Sequence, residues 1–243
     1  MTSLPQRHSS NAIKGILFDK DGTLLDFHAT WIPAYEAAAM AVCMESGKPD
    51  FVPDLMQAAG FDPVTQRCDP ESPLACGTNE QIARIWGETS DFNDVGALID
   101  LMETVFEKEV AAKPVPVNGL AVLLRRLVEQ GQVLGVATMD CEAQAHAVLN
   151  QLRLADCFSF VCGYDSGFGV KPGPGMVEAF SARTGLAPRQ VAVVGDTPHD
   201  LNMARAADVG LVIGVLTGAS PRAVLAGLAD HVLADITELE SLI

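Results

Sequence analysis

Ile13-Lys-Gly-Ile-Leu-Phe18 runs straight into Asp19-Lys-Asp21-Gly22-Thr23-Leu-Leu-Asp26. A short apolar run that stops at acid and glycine reads as a buried strand entering a loop. The strand's carboxyl end therefore carries two carboxylates, at Asp19 and Asp21. Beyond Lys113-Pro-Val-Pro116, a natural linker, strands and helices alternate. Apolar strands are predicted at 133–138, 158–162, Val191–Gly195 and 210–216. Helices are predicted at Leu120–Glu129, 142–152, Gly175–Thr184 and 201–207, and Gly131 and Gly185 close two of them. Shorter elements follow at 221–227, His231–Leu233 and 237–242. Continuous apolar strands alternating with helices predict an α/β fold, a doubly wound parallel sheet covered on both faces.

The segment between the first strand and the linker has a different texture. Residues 32–45 are alanine-rich with helical spacing, and 79–88 and 95–110 also read as helices. Residues 61–77 are broken by Pro63, Pro70, Pro73 and Gly77 and read as loop, and no strand signal stands out in this block. It is expected to be an inserted, all-helical cap over residues 27–113, with 1–26 and 114–243 forming the core. Joints near 26–30 and 113–117 would let such a cap open and close.

The chain has 243 residues, 49% of them apolar and 19% charged, which suffices for a real core. A formal net charge of −15 favours solubility and argues against a nucleic-acid partner or an anionic membrane surface. No stretch approaches the roughly 18–20 apolar residues of a membrane span, and the polar start has no signal-peptide core. The six cysteines (Cys43, Cys68, Cys76, Cys141, Cys157, Cys162) contain no C-x-x-C pair, which argues against zinc. They read as reduced thiols of a cytoplasmic protein. A Cys68–Cys76 bridge would require an oxidising compartment.

Ligands of doubly wound sheets bind at the carboxyl ends of the strands. Four such ends carry reactive residues: Asp19 and Asp21; Thr138-Met139-Asp140; Lys171 in Gly169-Val-Lys-Pro-Gly173; and Gly195-Asp196-Thr-Pro-His199-Asp200. A carboxylate can attack phosphorus once the repulsion between the two anions is neutralised. Mg²⁺ does this with oxygen ligands, which Asp19, Asp196 and Asp200 can supply, and Lys171 adds a fixed positive charge. Asp21 can protonate a leaving alcohol and later deprotonate water. Gly22 lets the backbone turn and present N–H groups to phosphate, and Thr138 and the Met139 N–H are further donors.

Asp19-Lys-Asp-Gly-Thr-Leu-Leu-Asp26 resembles the first motif of the haloacid dehalogenase superfamily. Thr138 resembles the second motif, Lys171-Pro172 the third and Gly195-Asp-Thr-Pro-His-Asp200 the fourth, in family order along essentially the whole chain. In length, cap position and motif texture the chain is similar to phosphoglycolate phosphatases. The resemblance implies that Asp19 is nucleophile and Mg²⁺ ligand, and that Asp21 is general acid/base with its carbonyl on the metal. It implies that Thr138 and Lys171 hold the phosphoryl group, that Asp196 ligates the metal, and that Asp200 ligates it or orients its waters. The dehalogenase branch lacks an acid at the position of Asp21, which favours a phosphatase. Thr138-Met-Asp departs from the more usual Thr-Asn.

The function so implied is Mg²⁺-dependent hydrolysis of a small phosphate monoester through an aspartyl-phosphate. The partner is a small phosphorylated metabolite, and the protein a monomer or homodimer. The alternatives are a sugar phosphomutase and, on a site lacking one of these residues, a non-catalytic binding protein; none is missing here. Asp26, Asp140 and Asp165 read as structural, and His199 as a solvent-facing neighbour of the site. Phe27, His28 and Trp31 either face substrate or pack at the hinge. A carboxylated substrate would need a cation from the cap, where the candidates are Lys48, Arg67, Arg84, Lys108 and Lys113.

Overall fold

A computed structural model describes residues 12–70 and 72–243. β1 (Gly15–Phe18) leads into α1 (Phe27–Glu45), then α2 (Val52–Ala58) and an antiparallel ribbon of β2 (Phe61–Asp62) and β3 (Arg67–Cys68). α3 (Pro73–Cys76), α4 (Asn79–Ser90) and α5 (Val95–Ala112) complete the inserted block. There follow α6 (Leu120–Glu129), β4 (Val133–Ala137), α7 (Glu142–Gln151), β5 (Phe160–Cys162), α8 (Gly175–Thr184), β6 (Val191–Gly195) and α9 (Pro198–Ala206). β7 (Leu211–Val215), α10 (Arg222–Leu225) and β8 (His231–Leu233) close the order.

The sheet has six strands in the order β5-β4-β1-β6-β7-β8, every pair parallel. Gly15 sits opposite Val133 on one side and Val191 on the other, so β1 is central. Successive side chains of a strand point to opposite faces. Ile16 and Phe18 accordingly pack with the leucines of α6, while Leu17 packs with Phe180 of α8 and with Leu201 and Met203 of α9. Both faces are apolar, which is why the strands read as continuous apolar runs.

The inserted block has its own apolar cluster. Ala34, Ala38 and Val42 recur every fourth position along α1 and meet Ile82, Ala83 and Trp86 of α4 and Leu98, Met102 and Phe106 of α5. Small residues at this spacing let the helices approach closely. Trp86 is wholly buried, and its indole N–H donates to the Leu55 carbonyl at 2.8 Å. Asp26 caps α1 by accepting from the Ala29 N–H, and a capping box of Thr78 and Gln81 starts α4. The β2–β3 ribbon corrects the expectation of a strandless block. Two residues per strand are too few to leave a period-two pattern among prolines. Cys68 is a free, buried thiol. Among the described residues, no helix is long and apolar enough to cross a membrane.

Candidate active site

The Asp19 N–H donates to the Val194 carbonyl of β6 at 2.8 Å, so strand register sets Asp19 beside Asp196. β1 and β6 are the strands at which the chain order diverges, to β4-β5 on one side and β7-β8 on the other. Such switch points open a crevice at the strands' carboxyl ends.

Past Asp19 the chain turns tightly: the Leu24 and Leu25 N–H groups both donate to the Lys20 carbonyl. The Gly22 N–H itself donates to the Leu25 carbonyl at 2.9 Å and so is engaged within the turn. The role of Gly22 is spatial. Its φ is +83°, and a Cβ there would lie 2.6 Å from Asp196 Cγ. Gly22→Ala is expected to lower stability by about 2–4 kcal/mol, from left-handed strain plus the clash, as urea denaturation would read.

Lys171, 5% exposed, is the hub. Its ammonium donates to Asp19 Oδ1 at 2.5 Å and to Asp200 Oδ1 at 2.6 Å. The other Asp200 oxygen accepts from the Thr197 N–H and hydroxyl, so Asp200 is helix cap and site member at once. Asp196 Oδ2 accepts from the Ala219 N–H at 3.2 Å, while its Oδ1 is buried without a hydrogen-bond partner. Asp19, Asp196 and Asp200 each present a carboxylate oxygen, all within 4.8 Å of one another.

Burial pushes the Asp19 carboxyl up to about 7; Asp200 and Asp21 add to this and Lys171 opposes it. Burial, with Asp19 and Asp200 beside it, also raises Asp196 well above the carboxylate range. For Lys171, burial works against the charge, but Asp19 and Asp200 outweigh it and hold the ammonium protonated. Three crowded carboxylates, one with an unpartnered buried oxygen, form a hard, all-oxygen donor set. That set fits a divalent cation such as Mg²⁺.

Asp21 stands beside this group with both carboxylate oxygens engaged. Oδ1 accepts from the Trp31 indole N–H at 2.8 Å, and Oδ2 is ion-paired with Lys20 at 2.6 Å. Lys20 has no solvent exposure and also pairs with Asp140 at 2.7 Å. The sequence reading passed over Lys20, since a lysine in a loop is ordinarily solvated. Asp165 accepts from the Glu142 N–H at the start of α7, whereas Asp140, read from the sequence as structural, lines the cavity described below. Thr138 is 1% exposed, and its hydroxyl accepts from the Asp140 N–H.

A cavity of about 570 Å³ lies between the strand ends and the inserted helices. Asp19, Asp21, Thr138, Met139, Lys171, Asp196, His199 and Asp200 line it from the sheet side. Phe27, Trp31, Tyr35, Ile82, Glu103, Phe106 and Glu107 line it from the inserted block. Phe27 and Trp31 thus face the cavity, and His28 does not. None of Lys48, Arg67, Arg84, Lys108 and Lys113 lines it; Lys48 pairs with Asp91 and Arg84 with Glu80 instead.

The sequence matches the haloacid dehalogenase-like hydrolase family over residues 13–208. A Dickeya dadantii protein named "Probable phosphatase IndB" is 29% identical over 209 residues, covering 84% of this chain and 81% of that protein. A phosphoglycolate phosphatase of Pseudomonas putida is 28% identical over 236 residues, covering 88% and 79%. The crystal structure of a haloacid dehalogenase-superfamily hydrolase from Geobacter sulfurreducens superposes with a TM-score of 0.71 at 20% identity, covering 96% of this chain and 97% of that one, a likeness of fold. The matched span takes in every strand end that meets at Lys171, and the chain belongs to the haloacid dehalogenase-like hydrolases.

Proposed function

We propose that this protein is a Mg²⁺-dependent phosphatase that hydrolyses a small phosphate monoester through an aspartyl-phosphate on Asp19. The observation that carries the reading is the buried Lys171 ammonium, bonded to Asp19 and Asp200 within the carboxylate group that contains Asp196. The phosphatase names among the relatives support the same reaction class. Asp19, Asp196 and Asp200 would hold the metal, with the Asp21 carbonyl as the family pattern implies. Bound there, Mg²⁺ supplies positive charge against the phosphoryl oxygens.

Asp19 attacks phosphorus, forming a P–O bond as the ester P–O bond breaks. Asp21 gives a proton to the departing alcohol. It then takes one from the water that releases phosphate and restores the Asp19 carboxylate. Lys171, the Thr138 hydroxyl and the Met139 N–H hold the phosphoryl oxygens. Residues 27–113 act as the cap, and their closure over the cavity excludes bulk water. The Trp31–Asp21 bond then places the acid. Trp31→Phe is expected to lower kcat by about tenfold to a hundredfold with little change in melting temperature, because the donor that aims Asp21 is lost while an aromatic ring remains beside Tyr35 and Phe106.

The decisive experiment is phosphate release from a panel of phosphorylated metabolites, with Mg²⁺ and with a chelator. Release is expected with Mg²⁺ and none with chelator. Undiminished release in chelator would overturn the metal assignment, and no release from any monoester would overturn the phosphatase.

A further inference from the structure

Both ends of the cavity carry carboxylates, but they are built differently. Among the described residues, Lys171 is the one lysine or arginine that lines it, and its ammonium is already shared by Asp19 and Asp200. The far wall is apolar: Trp31, Tyr35 and Phe106 pack ring against ring, with centroids 5.4–5.5 Å apart. Glu103 and Glu107 stand one turn apart on α5, on the same helix face, and both line the cavity. Glu103 accepts a hydrogen bond from the neutral Asn79 amide at 3.2 Å. Neither glutamate has a cationic partner among the described residues.

We propose that the alcohol released by this enzyme has an apolar body and carries an ammonium group, and that phosphorylated carboxylates are disfavoured. The inference rests on the phosphatase reading and specifies its substrate. The phosphoryl group is served at the strand ends. Whatever is esterified to it extends toward the rings and the two glutamates. An ammonium there gains two opposite charges, whereas a carboxylate meets two like charges with no cation to offset its desolvation. The cavity also has room for an aromatic or branched alkyl group against Trp31 and Phe106. The relatives named phosphoglycolate phosphatases share this chain's fold and motifs, and the discrimination would come from the cap side chains.

The test compares three aryl phosphates with one leaving-group chemistry and different tails: 4-(2-aminoethyl)phenyl phosphate, 4-ethylphenyl phosphate and 3-(4-phosphonooxyphenyl)propionate. Glu103 and Glu107 are solvent-exposed, so screening keeps the effect moderate. The expected order of kcat/KM is ammonium, neutral, carboxylate, with about tenfold between the extremes at low salt. The ratio should narrow at about 0.5 M salt. In the E103Q/E107Q double variant it should fall toward one, with the carboxylate ester gaining. A carboxylate ester turned over as well as the ammonium ester, or a ratio unmoved by salt and by the double variant, overturns the proposal and leaves the phosphatase standing. Hydrolysis confined to small monoesters without an apolar body also overturns it. Failure of every monoester overturns both.

Discussion

Asp19→Asn is expected to abolish phosphate release, by about 10⁴-fold or more, while making the metal-free protein more stable. The stability part follows from burial. The Asp19 carboxyl titrates near 7 in the fold, against 3.8 ordinarily. Between those pH values the folded chain keeps a proton that the unfolded chain has released. Stability therefore falls as pH rises through that window. The penalty is absent below about 4 and complete above about 7. Asparagine never ionises, yet its carbonyl can still accept from Lys171. Denaturation in chelator should show the variant more stable at pH 8 and level with the parent at pH 4. With saturating Mg²⁺ the parent regains the difference, because its carboxylate then has a hard cation partner. An inactive variant that is more stable cannot be inactive through misfolding. Full turnover in it would remove Asp19 as nucleophile.

Lys171→Met should be damaging in both respects. In the metal-free fold its ammonium is, among the described residues, the one positive charge touching Asp19 and Asp200. Removing one partner of a buried ionic group costs about 3–5 kcal/mol, because the charges left behind are uncompensated. Urea denaturation in chelator should show a loss of this size. Mg²⁺ should then raise the midpoint more in the variant than in the parent, since three carboxylates are left without another cation. Phosphate release should fall by about a hundredfold to a thousandfold, as when one pre-placed donor to a developing anion is lost. Equal stabilisation by Mg²⁺ in the two proteins would show that Lys171 does not share the field of the carboxylates.

The sheet was legible because its strands are apolar on both faces and end at glycine or a reactive residue. Val191–Gly195 and Gly175–Thr184 have the same bounds in sequence and structure. The candidate site residues were legible because they stand at such ends or in the segments just after them, where a parallel sheet gathers distant parts of the chain. α1 was expected from residue 32 and begins at Phe27, since its start is fixed by the Asp26 side chain rather than by periodicity. The burial of Lys20 and the engagement of the Gly22 N–H were hidden for a shared reason. One of the two carboxylates that pair Lys20, Asp140, lies far along the chain, and the Gly22 donor is consumed by a turn that folds back to Leu25. The acidic far wall of the cavity was also hidden. Glu103 and Glu107 look like ordinary surface acids of an amphipathic helix until that helix is placed over Asp19.

The central position of β1 has a consequence for biosynthesis. Its residues precede both neighbouring strands in the chain, β4 coming after the whole inserted block and β6 later still. On the ribosome, Ile16-Leu-Phe18 must wait with two unsatisfied strand edges, open to mispairing. Asp19 emerges long before its partners, and a nascent chain has no carboxylate trio until Asp200 has cleared the exit tunnel. The proposed chemistry thus becomes possible only once these distant segments have docked on β1.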